Sequence, residues 1–216
     1  MKTRFIIIRH GESQANLSNI FAGHIDVPLT DLGRRQGKCT AEFLKNEKID
    51  VVYSSDLSRA YETAMFTAEK HGLPVIKHKG LREIYAGLWE GNGYSVIREK
   101  YAEQYNIWIT NIGLTHCDGG ESVEDVGNRV YSAMTEIAES NIGKTVCIGC
   151  HALALRAFVA KVLNIAPKDI HTKLPWVNNA SVTYIDYEDG VFSVVKYGED
   201  THLEKAGLKV VIHAKA

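Results

Sequence analysis

Five side chains of complementary chemistry lie at or just beyond the ends of predicted strands: Arg9, His10, Arg59, Glu83 and His151. Arginine guanidinium groups present forked donors that match phosphate oxygens, and a histidine at a helix start adds to such an anion pocket. A neutral imidazole attacks phosphorus well, and nearby Arg9 and Arg59 disfavour protonation of His10. A carboxylic acid beside the phosphate can give its proton to the leaving oxygen. The set therefore indicates phosphoryl transfer with His10 as nucleophile and Glu83 as acid.

The sequence offers no comparable set of metal ligands. Because no cluster of carboxylates has metal-ligand spacing, the arginines must carry the charge stabilisation that magnesium supplies in other phosphoryl-transfer enzymes. Cys147 and Cys150 form a C-x-x-C motif, but a spacing of three within a buried strand places the two side chains on opposite faces. A zinc site would also need a second ligand pair, which the sequence lacks. We expect neither a metal nor a cofactor, and keep a zinc or thiol redox protein as an alternative.

The elements that must position these residues alternate between strand-like and helix-like patterns. Predicted strands lie at residues 4–8, 50–54, 75–78, 144–149, 182–187 and 191–195. Predicted helices lie at residues 31–45, 58–70, 94–105, 123–137 and 152–163. Thr30 and Ser122 have the type and position of helix N-caps, and Asp56 or Ser58 is the candidate cap of the second helix.

This alternation predicts the α/β class: a single domain over residues 1–216, with a mostly parallel sheet flanked by helices and a late β-hairpin. Residues 91–120 interrupt the alternation and are expected to form a helical lid insertion. In a parallel sheet the carboxyl ends of the strands share one edge, where open α/β sheets bind ligands. The two arginines, two histidines and the glutamate can therefore converge at that edge.

The composition excludes several other classes. The chain has 216 residues, a formal net charge of -1 and 45% hydrophobic residues, so its charge balance argues against a polybasic nucleic-acid binder. No apolar run approaches the roughly 20 residues of a membrane helix, and the run at residues 5–8 is too short for the core of a signal peptide. We therefore expect a cytoplasmic monomer or homodimer that binds neither nucleic acid nor membranes.

A series of motifs follows in order along the chain: RHGES at residues 9–13 followed by Asn16, GHIDVPLTDLG at 23–33, SSDLSRA at 54–60, EIYAGLWEG at 83–91, GES at 120–122, and His151. Together they resemble the histidine phosphatase superfamily, which includes the cofactor-dependent phosphoglycerate mutases. The resemblance implies a phosphohistidine mechanism in which Arg9, His10, Arg59 and His151 form the phosphate pocket and Glu83 donates and accepts the proton. It also implies secondary phosphate or substrate contacts by Asn16 and the backbone near Gly23.

One position departs from that family's pattern. Two small residues, usually glycines, often follow the second histidine, but Ala152 and Leu153 stand here. The N–H group of Ala152 can still face the phosphate, whereas the side chain of Leu153 narrows the space beside it. The resemblance therefore implies the same reaction class with a different pocket geometry at this point.

A phosphatase and a mutase share the phosphoryl-enzyme and differ in whether water or a second substrate hydroxyl takes the phosphate. A mutase must hold bisphosphorylated intermediates, so it needs positive charge beyond the first pocket. Residues 101–128 contain no lysine or arginine but five acidic residues, and the chain lacks room for the longer insert of the family's glycolytic mutases. We therefore favour a metal-independent phosphomonoesterase acting on a small-molecule phosphate ester, with phosphoglycerate mutase-type transfer as the alternative. A non-catalytic phosphate-binding module would need neither His10 nor Glu83.

Four aromatic residues recur at helical spacing in the predicted lid: Tyr94, Tyr101, Tyr105 and Trp108. This spacing places them on one helix face, where they either pack onto the domain or, with His24, wall the non-phosphate end of the substrate. In the second case a monoester with a neutral or apolar organic part is preferred over a sugar bisphosphate. Trp176 is expected in the core, and the histidines expected on the surface are His71, His78, His202 and His213.

Overall fold

A six-stranded mixed sheet lies at the centre of the computed structural model, which describes residues 1–210. Its strands are β1 (Thr3–Arg9), β2 (Val51–Ser54), β3 (Val75–Lys77), β4 (Thr145–Cys150), β5 (Val182–Glu188) and β6 (Val191–Glu199). The order is β3-β2-β4-β1-β5-β6; the first four strands are parallel, and β5 and β6 form an antiparallel hairpin beside β1. The predicted α/β fold is confirmed, and the carboxyl ends of the four parallel strands lie at one edge.

Helices cover both faces of this sheet. They are α1 (Gln14–Ser18), α2 (Asp31–Leu44), α3 (Ser58–His71), α4 (Tyr94–Lys100), α5 (Ala102–Thr110), α6 (Val123–Ser140), α7 (Ala152–Val162), α8 (Ile170–Lys173) and α9 (Thr201–Lys205). Alternate residues of β1 point to opposite faces, so Phe5 and Ile7 pack with α6 and α7, whereas Ile6 and Ile8 pack with α2 and α3. The unbroken apolar run of β1 is therefore explained by burial on both faces.

Two helix starts follow the predicted capping chemistry. The hydroxyl oxygen of Thr30 accepts from the Gly33 N–H at 3.0 Å, and Ser122 and Asp125 form a reciprocal capping box at the start of α6. The prediction for α3 is wrong, because Leu57 is the N-cap and makes no side-chain cap. Asp56 instead accepts two hydrogen bonds from Arg82, at 2.7 and 2.6 Å.

The expected lid contains two short helices, not the single helix predicted from residue 94 onward. The chain leaves helical geometry at Tyr101, where φ is −128° and ψ is 46°, so α4 ends there and α5 begins at the next residue. Tyr101 and Tyr105 both contact the buried ring of Trp89, with centroids 6.4 and 6.5 Å away. The prediction that the four aromatic residues share one helix face is therefore wrong.

The cysteine pair has the arrangement that the spacing predicts. Cys147 packs in the core on the α2–α3 side of the sheet and Cys150 in the core on the α6–α7 side. Burial raises the pKa of both thiols to about 12, which makes them unreactive at neutral pH. Within residues 1–210, no group of three or more His, Cys, Asp or Glu side chains is arranged to hold a metal ion.

Two further expectations from the sequence concern the surface. His202 is buried rather than solvated: its ring stacks on Phe43 at 4.5 Å, and its Nε2 lies 3.0 Å from the Thr40 hydroxyl. His213 lies outside the described residues, as does the end of the predicted domain. Among the helices of residues 1–210, none combines the length and apolarity that crossing a bilayer requires.

Candidate active site

A cavity of about 390 Å³ lies at the carboxyl edge of the parallel strands. Its lining includes seven of the eight predicted site residues: Arg9, His10, Asn16, Gly23, Arg59, Glu83 and Ala152. The eighth, His151, is fully buried and does not reach the cavity surface; its ring packs edge-on against His10 with centroids 5.2 Å apart. The parallel sheet thus brings together the residues that the sequence separates by up to about 140 positions.

One ring nitrogen of His10 makes a hydrogen bond, and the other is free to attack. Its Nδ1 lies 2.7 Å from the Gly11 carbonyl oxygen. Because a carbonyl oxygen only accepts, Nδ1 carries the proton and Nε2 bears the free lone pair of the neutral ring. Burial first, and then the charges of Arg59 and Arg9, hold the pKa of His10 well below its ordinary 6.5. The ring is therefore neutral and nucleophilic at physiological pH.

Two buried guanidinium groups flank this ring. Arg9 is 5% exposed and Arg59 is 2% exposed, and within residues 1–210 neither forms an ion pair with a carboxylate. Arg9 donates to the Val177 carbonyl oxygen at 2.6 Å, and its buried Nε has no partner among the described residues. Burial lowers the pKa of Arg9 to about 10, so the group stays charged at neutral pH. Two buried cations without a direct ion pair favour an anionic ligand.

Backbone carbonyl groups hold Arg59 in place. Its Nη2 donates to the Gly23 carbonyl at 2.8 Å and its Nη1 to the Ile25 carbonyl at 3.1 Å. Gly23 has φ of +53°, and a Cβ there would collide with the carboxyl group of Glu90, so this position favours glycine. The glycine brings its carbonyl group to Arg59, which explains why this position lies at the site.

His151 follows β4 and is the N-cap residue of α7. Its Nε2 lies 2.8 Å from the hydroxyl oxygen of Ser55, while its buried Nδ1 has no partner among the described residues. Burial and then Arg59 hold the pKa of His151 well below 6.5. A neutral imidazole with an unpartnered nitrogen therefore lies beside the His10 ring.

Glu83 occupies the N-terminal end of α7. Its carboxylate accepts from the N–H groups of Leu153 at 3.1 Å, Ala154 at 2.9 Å and Ile84 at 3.0 Å. Helix N-termini favour negative charge, as the sequence predicted for this point, but here the protein's own carboxylate provides it. The side chain of Leu153 lines the cavity, as expected from the sequence. Its N–H group also donates to Glu83, the predicted general acid.

Two asparagines connect His10 to the substrate side of the cavity. Asn179 donates to the His10 carbonyl oxygen at 3.0 Å and to the Asn16 side-chain oxygen at 3.2 Å. The Asn16 oxygen also accepts from the Ser13 N–H at 3.1 Å. Because that oxygen is occupied, the amide nitrogen of Asn16 is the group left to contact a ligand.

The far wall of the cavity is aromatic and apolar. Phe21 lies 5.1 Å from Trp108 and 5.8 Å from Tyr94, and Trp108 lies 6.0 Å from Trp176, as ring centroid distances. These four rings line the cavity together with aliphatic side chains, including Leu17, Ile20, Ile109 and Leu153. Half of the predicted aromatic set, Tyr94 and Trp108, therefore faces the cavity, while Tyr101 and Tyr105 pack in the core.

Several residues of this wall were not predicted from the sequence. Trp176 lines the cavity instead of serving only as a core anchor, and the Arg156 guanidinium stacks on its ring at 4.5 Å. His24 does not line the cavity; its Nε2 lies 2.8 Å from the Glu83 carbonyl oxygen. Phe21 comes from a loop and His171 from α8, so no local spacing pattern marks them as neighbours.

The acidic residues of segment 101–128 lie outside the described cavity lining. None of the five acidic residues of segment 101–128 lies among the described residues that line the cavity. Glu121 pairs with Arg129, and Asp118 accepts from Gln104. The described lining contains no lysine and only Arg9 and Arg59 as arginines.

The chain is similar to known proteins in sequence and in fold. The pattern of the histidine phosphatase superfamily (branch 1) matches residues 5–200. Phosphoserine phosphatase 1 of Hydrogenobacter thermophilus is 32% identical over 201 residues, covering 93% of this chain and 94% of that protein. A 2,3-bisphosphoglycerate-dependent phosphoglycerate mutase of Rhodococcus jostii is 33% identical over 200 residues, covering 76% of this chain and 78% of that protein.

A solved structure shares the fold. YhfR of Bacillus stearothermophilus superposes with a TM-score of 0.89 at 28% identity, over 93% of this chain and 99% of that one. The relatives thus include both phosphatases and phosphoglycerate mutases. The match over residues 5–200 is nearly the length of the chain, so this protein belongs to branch 1 of the histidine phosphatase superfamily.

Proposed function

We propose that this chain is a metal-independent phosphomonoesterase that hydrolyses a small-molecule phosphate ester through a phosphohistidine on His10. The observation that carries the proposal is the neutral His10 ring, with its Nε2 lone pair free, in a cavity that also holds two buried guanidinium groups without a direct ion pair. This arrangement separates the nucleophile, which must stay uncharged, from the cations that stabilise the phosphoryl group.

In the first step the Nε2 lone pair of His10 forms a bond to phosphorus while the bond to the ester oxygen breaks. Arg9 and Arg59 bind the equatorial oxygens, and His151 contributes its unpartnered Nδ1. The ring gains positive charge, which the Nδ1–H bond to the Gly11 carbonyl oxygen stabilises. Glu83 takes up a proton when the negatively charged substrate binds and gives that proton to the leaving oxygen, so the alcohol departs neutral.

In the second step water attacks the phosphohistidine. Glu83, now a carboxylate, takes a proton from that water, and the N–P bond breaks to release inorganic phosphate and the neutral His10 ring. In the ligand-free structure the Glu83 carboxylate contacts the N–H groups of Leu153 and Ala154. We infer that the side chain rotates from these groups toward the ester oxygen when substrate binds.

The aromatic wall supports a preference for monoesters whose organic part is neutral or apolar. Phe21, Tyr94, Trp108 and Trp176 offer ring surfaces that bury apolar groups, and a second phosphate would find no additional lysine or arginine in the described lining. The same observation argues against phosphoglycerate mutase-type transfer, which must hold a bisphosphorylated species.

A phosphate-release screen tests the proposal. The purified chain is assayed against aryl, alkyl, amino-acid and sugar monophosphates with EDTA present, and against 3-phosphoglycerate with 2,3-bisphosphoglycerate for mutase activity. We expect phosphate release from several monoesters, unaffected by EDTA, and no isomerisation of 3-phosphoglycerate. Isomerisation faster than any hydrolysis would replace the proposal by the mutase alternative.

A further inference from the structure

Arg129 of α6 is bonded to the backbone of the segment that carries Glu83. Its Nη1 donates to the Gly80 carbonyl at 3.1 Å and to the Arg82 carbonyl at 2.9 Å, and its Nη2 donates to the Glu83 carbonyl at 3.1 Å. A bidentate pair with Glu121, at 2.7 and 2.8 Å, fixes the orientation of the guanidinium plane. One side chain thus contacts three of four successive carbonyl groups.

His24, which lies far from Arg129 in the sequence, is a second donor to the Glu83 carbonyl group. His24 Nε2 lies 2.8 Å from the Glu83 carbonyl oxygen, and because that oxygen only accepts, Nε2 carries the proton. His24 is itself held, since its N–H donates to Glu90 at 2.7 Å. Tyr85, two residues after Glu83, is also held by Glu121. The Tyr85 N–H group donates to the Glu121 carboxylate at 2.8 Å, and the Tyr85 carbonyl oxygen accepts from the Glu121 N–H group at 2.8 Å.

The Glu83 segment needs such support because it lies in neither a strand nor a helix. It runs between a 3₁₀ turn at Lys79–Leu81 and another at Gly87–Trp89, so no sheet ladder fixes its backbone. A general acid must reach the leaving oxygen within hydrogen-bond distance, and a misplacement of about 1 Å can cost on the order of 10²-fold in rate. Because the Glu83 side chain changes hydrogen-bond partners during the proposed reaction, a fixed backbone keeps its carboxyl group within reach of the leaving oxygen.

We propose that Arg129 and His24 are positioning residues for the general acid: they hold the Glu83 backbone so that its carboxyl group reaches the leaving oxygen. The inference rests on the proposed function of Glu83. Neither side chain lines the described part of the cavity, so both act through Glu83 rather than on the substrate. Their loss should therefore impair ester cleavage in proportion to how much the leaving group needs a proton.

The test compares kcat/KM for p-nitrophenyl phosphate, whose leaving group needs no proton, with kcat/KM for an alkyl phosphate, whose leaving group does. Glu83→Gln serves as the reference variant. We expect Arg129→Met to lower kcat/KM for the alkyl ester at least about tenfold more than for the aryl ester. In the double variant with Glu83→Gln this selective loss should not increase further, because both changes remove the same contribution.

Two controls separate positioning from loss of fold. Arg34→Met removes an arginine that also pairs with a carboxylate, Glu62 at 2.7 Å, but that contacts no part of residues 80–85. It should change both esters equally. His24→Phe keeps a ring but removes the donor and should reproduce the selective loss, whereas His24→Gln restores an N–H donor and should recover part of it. This pair tests the inference even if Arg129→Met is unstable.

The outcomes separate the positioning role of Arg129 and His24 from the acid role of Glu83. Selective loss in Glu83→Gln but equal slowing of both esters in Arg129→Met and His24→Phe overturns the positioning role alone. Equal slowing of both esters in Glu83→Gln itself overturns the acid role of Glu83, and the positioning role with it.

Discussion

His10 and His151 lie edge to face with ring centroids 5.2 Å apart, at the ends of the adjacent parallel strands β1 and β4. Both rings are buried, and Arg59 disfavours the protonation of each. The site therefore holds its positive charge on arginines and keeps both imidazoles neutral. In the proposed mechanism this division leaves the neutral His10 imidazole free to attack phosphorus.

Removal of the nucleophile should abolish turnover. We expect His10→Ala to lower kcat at least about 10³-fold, because arginine binding alone cannot replace covalent catalysis. His116→Ala, at an exposed histidine away from the cavity, is the matched control and should leave kcat unchanged. Steady-state phosphate release measures both. Activity of His10→Ala within tenfold of wild type would be inconsistent with a nucleophilic role.

The acid limb of the pH profile should depend on Arg59. The charge of Arg59 helps to lower the pKa of His10, so its removal should raise that pKa toward 6.5. In Arg59→Met the acid limb of kcat/KM should therefore move to higher pH, whereas Arg59→Lys, which keeps the charge, should move it less. The profile is measured from pH 4 to 8. An acid limb that moves to lower pH in Arg59→Met would show that the charge does not act as described.

Folding stability should fall as the pH drops below about 6.5. The unfolded chain takes up protons on its histidines near that pH, while buried His10 and His151, with lowered pKa values, do not. Each such group costs about 1 kcal/mol of unfolding free energy per pH unit below 6.5, until the folded group also titrates. Urea unfolding at pH 7.5 and 5.5 measures the change. The double variant His10→Gln/His151→Gln should show a smaller decrease, and an undiminished decrease would assign the effect to other groups such as His202.

The aromatic wall should govern substrate preference. We expect higher kcat/KM for an aryl monophosphate than for fructose 2,6-bisphosphate, and about a tenfold rise in KM for the aryl ester in Trp108→Ala, because that ring faces the cavity. Glycerol 3-phosphate, whose organic part is small and polar and gains little from an aromatic surface, should lose little. Faster turnover of the bisphosphate by the wild-type protein would defeat this prediction.

Chelation should leave activity unchanged. Within residues 1–210 no cluster of His, Cys, Asp and Glu side chains is arranged as a metal site. Arg9 and Arg59 line the cavity, and in the proposed mechanism they stabilise the negative charge of the phosphoryl group. Prolonged dialysis against EDTA, followed by assay in metal-free buffer, is the measurement. A loss of activity that Mg²⁺ or Zn²⁺ restores would require a metal in the reaction.

Much of the fold follows from local pattern. The apolar run of β1, the Thr30 cap and the Ser122 capping box each determine their element through short-range chemistry. The break at Tyr101 has no such signal, since neither glycine nor proline stands there and the aromatic spacing continues across it. It accompanies the packing of Tyr101 and Tyr105 onto Trp89, which is a tertiary contact.

The same distinction applies to the site. Strand-end residues such as His10 and Glu83 could be predicted because a parallel sheet brings its carboxyl ends to one edge. Only part of the cavity wall could be predicted, through the aromatic spacing that includes Tyr94 and Trp108, because Phe21 and Trp176 come from separate segments with no shared period. The engagement of Glu83 with the α7 N-terminus likewise depends on a loop conformation held by distant residues.

The most direct test of the account is the position of the phosphoryl group in the trapped intermediate. The protein is mixed rapidly with a ³²P-labelled substrate, quenched without acid because phosphohistidine is acid-labile, and digested for mass spectrometry. We expect the ³²P label on Nε2 of the His10 imidazole, and no label in His10→Ala. Label on any other side chain of the wild-type protein would contradict the account.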